Sequence, residues 1–142
     1  MNKDELIKLV ESLNFPNNEY YILSSGCLLL YGLREKAGDL DLCISEKLFN
    51  EIKERFNLTE DKKNKCGFYK LNDKTEVVVD SPEEFINQYD IKDGYQVQKL
   101  EIILRDKKKR NLPKDQVDIK NIERYIIEKN KQKEQLWKIK NI

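Results

Sequence analysis

Two aspartates one residue apart, Asp39 and Asp41, are the side chains of this sequence best suited to chemistry. They stand in Gly38-Asp39-Leu40-Asp41-Leu42, at the entry to an apolar stretch that reads as a β-strand. Side chains alternate along a strand, so both carboxyls project from one side while Leu40 and Leu42 turn into the core. Neighbouring acids repel each other. A divalent cation between them removes that repulsion, and ligation by oxygen alone suits Mg²⁺. Upstream lie a small-residue turn, Ser24-Ser25-Gly26, and the triplet Gly32-Leu33-Arg34 at the end of a short apolar run.

The elements that must position these residues follow from periodicity. Leu6, Leu9, Val10 and Leu13 recur at helical spacing, which predicts an amphipathic helix over 3–14 that Phe15-Pro16-Asn17-Asn18 ends. Tyr20 to Leu23 reads as a short strand, Gly26 to Leu33 as an almost wholly apolar helix, and Leu40 to Ser45 as a central strand. A helix from Ser45 or Glu46 presents Leu48, Phe49, Ile52 and Phe56 inward. Phe68–Leu71 and Thr75–Val79 flank Asn72-Asp73 as a hairpin, and Ser81-Pro82-Glu83-Glu84 carries a helix-start signature. A brief strand is expected around Tyr95 to Val97. Beyond it a helix runs from Leu100 to Lys109, Pro113 punctuates, and a long helix follows from about Lys114. Strands and helices alternating around one hairpin imply an α+β or α/β class with a mixed sheet, the α+β reading being preferred. The 142 residues are expected to form a single domain with a helical C-terminal segment from about 99 to 142.

Composition narrows the chemistry. The sequence has no histidine, which excludes Ser-His-Asp and Cys-His nucleophile systems, HExxH metalloproteases and imidazole zinc sites. Any catalysis therefore rests on carboxylates, lysines and a metal. Three widely spaced cysteines without a CxxC pair read as reduced core thiols of a cytoplasmic protein. There is no signal-peptide pattern and no apolar run near the roughly 20 residues that span a bilayer. Charge is divided: residues 1–96 hold 13 basic and 19 acidic side chains (−6), residues 97–142 hold 14 and 7 (+7). A basic end of this kind suits nucleotide phosphates or RNA, and equally a plain solvated surface.

From Tyr21 to Ser45 the chain resembles the nucleotidyltransferase superfamily of the DNA polymerase β-like fold, whose signature is a Gly-Gly or Gly-Ser turn, a short helix and Asp-x-Asp at a strand start. The intervening Gly32-Leu33-Arg34 makes it similar to short bacterial members related to lincosamide nucleotidyltransferases and to abortive-infection-type toxins. The resemblance implies a nucleotidyltransferase-like mixed sheet flanked by helices, and a reaction in which an acceptor hydroxyl displaces pyrophosphate from an NTP. Two Mg²⁺ ions would be held by Asp39 and Asp41, with Ser24 and Ser25 cradling phosphate and Arg34 contacting phosphate or substrate. Serine stands at 24 where the family has glycine, and Gly26 is expected to supply the backbone freedom instead. The family's third carboxylate falls on Glu76, with Asp80 as the alternative, since both share a strand face.

The segments Ile103-Leu104-Arg105-Asp106-Lys107 and Pro113-Lys114-Asp115-Gln116-Val117-Asp118 look like the family's inward lysine and Lys-Asp helix start. By resemblance Lys107 meets nucleotide phosphates and Asp115 lies close to the site. The family's usual arginine is displaced: Leu112 occupies its place and Arg110 stands two residues early. The implied acceptor is an RNA 3′ end, as in the toxins, or a small molecule such as an antibiotic. Trp137 and Tyr125 are expected to be packing residues. Competing expectations are a non-catalytic member of the fold that binds nucleotide or a protein partner, and a small basic RNA-binding protein whose Asp-x-Asp is incidental.

Overall fold

The computed structural model describes residues 1–141. Two compact units divide the chain, Met1–Lys99 and Leu100–Ile142, and each is described by itself.

In the first unit β1 (Tyr20–Ile22), β2 (Leu40–Ser45), β3 (Tyr69–Asn72), β4 (Thr75–Asp80), β5 (Tyr89–Lys92) and β6 (Tyr95–Gln98) form one mixed sheet in the order β3-β4-β2-β1-β6-β5. The β2–β4 and β1–β6 pairs are parallel; β1–β2, β3–β4 and β5–β6 are antiparallel. An α+β fold results. On one face of the sheet Leu40, Leu42, Ile44 and Val77 are wholly buried. On the other, Tyr21, Cys43 and Phe85 form a second small core with Leu23, Val78 and Tyr89 against it. β2 is thus sandwiched, which is why its apolar residues outnumber what simple alternation would give.

The helices of this unit are α1 (Lys3–Leu13), α2 (Ser24–Leu30), α3 (Glu46–Ile52) and α4 (Pro82–Phe85). Asn2 and Glu5 form a reciprocal capping box at the start of α1, and Asn14 ends it in a left-handed conformation (φ 53°). α2 begins two residues before the sequence predicts and stops at Leu30, short of Leu33, because Gly32 turns left-handed (φ 71°). Ser81 caps α4 as expected, accepting from the Glu84 amide, and α3 starts at Glu46 with Ser45 as its cap, accepting from the Leu48 amide. Phe56 lies beyond the end of α3, half-buried against Phe15.

β5 was missed by periodicity, since only its ends are half-buried and Ile91 is 62 % exposed. Its signal lay in the turn. Asp93 and Gly94 both take positive φ (52° and 86°), the left-handed pair that a two-residue hairpin demands.

The second unit consists of α5 (Leu100–Arg110), a 3₁₀ turn over Pro113–Asp115, and α6 (Gln116–Lys140). Among the described residues no helix is long and apolar enough to cross a membrane.

Candidate metal and nucleotide site

The strand pairing decides which acids meet. In the parallel β2–β4 pair Asp41 lies opposite Glu76, one strand spacing of roughly 4.8 Å away, with both side chains on the face that carries Cys43 and Val78. Asp39 sits in the bend immediately before β2, exposed, with Gly38 beside it. Asp41 is half-buried, and its carboxyl is pushed up to about 6, first by burial and then by the charges of Glu76 and Asp39. A carboxylate held against two others and partly out of water is destabilised as an anion. That is the electrostatic environment a divalent cation relieves, and carboxylate oxygens are donors of the type Mg²⁺ takes. Among the described residues no group of three or more His, Cys, Asp or Glu stands ready to ligate a metal.

Asp80 is committed elsewhere. It pairs with Ser45 at the far end of the strand, about 13 Å along from Glu76 by strand rise, and its Oδ2 accepts a 3.1 Å hydrogen bond from the Tyr21 hydroxyl. Phe85 and Tyr89 pack on the Tyr21 ring, with centroids 5.3 and 5.7 Å away. Burial raises both the Tyr21 hydroxyl and the Cys43 thiol well above their ordinary values. This end of the face is a packed core.

The small-residue turn lies beside Asp41. The Leu23 amide donates to the Asp41 carbonyl at 2.9 Å, and Ser24 follows at φ 34°, in the region that disfavours L-residues. The conformation that glycine would take freely is retained, and serine adopts it. Gly26 does not supply that freedom, contrary to expectation. It lies within α2, and a Cβ there would stand 2.6 Å from Ile22 Cγ2 and 3.4 Å from Leu6 Cδ1. Its purpose is close approach of α2 to β1 and α1. Sequence reasoning also missed Gln98. Its side-chain carbonyl accepts from the Ser24 amide at 3.0 Å, and its backbone carbonyl accepts from the Cys27 thiol. Gln98 thereby clamps the start of α2 from the end of β6. Nothing local in the sequence marks it. Arg34 is exposed on the loop after α2, with Nε–H donating to the Lys36 carbonyl at 2.8 Å.

In the second unit Lys107 and Asp115 are brought together with each other. Lys107 is buried, its Nζ 3.6 Å from Asp115 Oδ1 and 3.2 Å from Asp118 Oδ2. Arg110 forks onto Asp115, its Nε–H donating to Oδ2 at 2.9 Å and its Nη2 to Oδ1. The Leu112 amide completes the set. Arg110 hydrogen bonding holds the Asp115 carboxyl far below the usual carboxylate range. The cluster ties the end of α5 to the start of α6, and it accounts for both residues without a bound phosphate.

Two further expectations change. Cys66 is exposed, unlike buried Cys27 and Cys43, because it lies in the charged loop before β3. Trp137 is 65 % exposed on α6 and Tyr125 half-buried, so Trp137 is no packing residue among the described residues. One cavity of about 750 Å³ runs along α6 past Val117, Arg124 and Ile127, and another of about 500 Å³ lies by Phe49 and Tyr69. Neither is lined by Asp39, Asp41 or Glu76.

No protein-family model, curated protein or solved structure matches the chain.

Proposed function

We propose that the chain is a Mg²⁺-dependent nucleotidyltransferase that moves a nucleoside monophosphate from an NTP to an acceptor hydroxyl. The observation carrying this reading is the pairing of Asp41 with Glu76 on adjacent parallel strands, Asp39 two residues upstream, within one residue's hydrogen bond of the Leu23–Ser24 turn. Asp39, Asp41 and Glu76 would hold the metal. When bound, two such ions supply charge stabilisation to the attacking and leaving oxygens of an in-line displacement. One of the three carboxylates would receive the acceptor's proton. Ser24 and Ser25 offer small side chains where the backbone must approach phosphate, and the Arg34 fork suits phosphate oxygens on the loop that follows. Glu76 is preferred to Asp80 because Asp80 is held by Tyr21.

The test is transfer of α-label from each NTP, with Mg²⁺, to total RNA or to a panel of hydroxyl-bearing antibiotics, compared with a D39N/D41N double variant. Transfer by the native chain alone supports the reading. Absence of transfer to every acceptor, with no Mg²⁺-dependent thermal stabilisation by any NTP, rejects it.

A second reading, nucleotide binding without transfer, is favoured by a separate observation: Gln98 occupies the Ser24 amide and two aspartates occupy Lys107. It predicts thermal stabilisation by Mg²⁺ and NTP that the double variant loses, with no label transferred.

A further inference from the structure

We infer that the end of α6, residues 129–140, is a docking arm for single-stranded nucleic acid. The segment carries five lysines (129, 131, 133, 138 and 140) against one acid, Glu134. Every side chain from Ile127 to Asn141 is exposed. Lys131 and Lys138 have helical partners in Glu128 and Glu134, and Lys129 lies over the Tyr125 ring. Among the described residues Lys133 and Lys140 have no carboxylate partner. The segment keeps a net charge of +4, only partly compensated by Glu128, and such a field fits a polyanion.

The distribution of apolar side chains selects among polyanionic partners. Leu136, Trp137 and Ile139 are 55, 65 and 69 % exposed. At about 100° per residue Leu136 and Ile139 share one side of the helix, Trp137 points about 100° or more away from them, and Lys138 and Lys140 are interleaved. A lipid surface or a partner helix needs a long contiguous apolar stripe with charges opposite; here Leu136 and Ile139 make only a one-turn patch, and Lys140 interrupts the arc between Leu136 and Trp137. A flexible strand needs something else: cations on several sides to follow its phosphates, and an accessible aromatic face on which a base can stack. Trp137 supplies that face. The inference goes beyond the nucleotidyl-transfer reading, because the arm requires neither metal nor triphosphate.

Trp137 is the chain's sole tryptophan, so it reports on the arm directly. The experiment titrates the full chain with a fluorescein-labelled oligouridylate of roughly 16 nucleotides, following anisotropy and tryptophan emission across a salt series. The expected result is saturable binding, quenched emission and a log–log salt slope that falls in magnitude by about 1.4 in K133A/K140A, two phosphate contacts being lost. W137A should bind roughly tenfold or more weakly, and W137F should recover most of that loss by stacking. The D39N/D41N variant should bind the oligonucleotide as the native chain does, which separates failure of the arm from failure of the proposed chemistry. Affinity and slope unchanged in K133A/K140A overturn the proposal. So do oligonucleotide binding lost in D39N/D41N, emission changed by phosphatidylserine vesicles with no oligonucleotide response, and a dimer in sedimentation that shields Trp137 while the oligonucleotide does not bind.

Discussion

Asp41 carries a carboxyl whose surroundings oppose its charge, and that gives a measurable pH dependence. Its folded value, about 6, lies above the ordinary 3.8, so between those values the folded protein binds more protons than the unfolded chain. Stability contributed by this group is full below about pH 4 and is lost as pH rises through about 6. Because the side chain is only half-buried, solvent screening reduces the effect to about 1 kcal/mol. In EDTA, D41N should remove this decline and be more stable than the native chain at pH 7 by that amount in urea titrations. An unchanged profile would mean that neither burial nor the neighbouring acids shift Asp41 in the folded protein. At Ser24 the argument concerns the backbone. Left-handed conformation costs an L-residue about 1–2 kcal/mol, and glycine's extra freedom when unfolded costs about 0.5–1. S24G should therefore raise unfolding free energy by about 0.5 kcal/mol, whereas S24V should lower it.

The elements supply the positioning. α2 approaches β1 and α1 closely enough that Gly26 leaves no room for a methyl: the nearest obstacle is the β-branched Ile22, which is itself buried. G26A should cost about 1–3 kcal/mol by overpacking, and it should weaken any nucleotide-dependent stabilisation by displacing the start of α2. In the helical unit the junction of α5 and α6 depends on Lys107, which neutralises Asp118 and shares Asp115 with Arg110. K107A removes the buried cation between Asp115 and Asp118 and should cost about 3 kcal/mol in the absence of any nucleotide. A variant of native stability that had lost only nucleotide binding would return Lys107 to the role its sequence motif implied. Acid acts on the same junction: the Asp115 carboxyl is depressed, so its contribution persists above the usual carboxylate range and is lost as pH falls well below it.

At the scale of the molecule, charge and exposure are segregated along the chain. The acids that could hold metal lie in the −6 portion, while the lysine-rich end of α6 belongs to the +7 portion. Since residues 129–141 are exposed throughout, they bury little on folding. A chain ending at Glu128 should keep its unfolding free energy to within about 1 kcal/mol. Loss of the whole transition on truncation would show that the segment packs.

The sequence by itself determined what is local. Asp39 and Asp41 follow from two-residue spacing, β2 and α1 from their apolar periods, and the caps at Ser45 and Ser81 from residue types that satisfy helix-end amides. Even β5 was announced by Asp93-Gly94, had turn chemistry been weighed above hydrophobic pattern. Only the tertiary structure decided what depends on contacts between distant residues. Glu76 and Asp80 are equivalent by parity. The register of the parallel pair puts one beside Asp41 and leaves the other to a tyrosine 59 positions earlier. Gln98 meets Ser24 across 74 positions, and Lys107 stands between Asp115 and Asp118 in a buried ion cluster. Periodicity tells a side chain which face to take; it does not say which neighbour will be waiting there, because register depends on how the buried faces and turns of the whole sheet fit together, and ion pairing on which elements then pack.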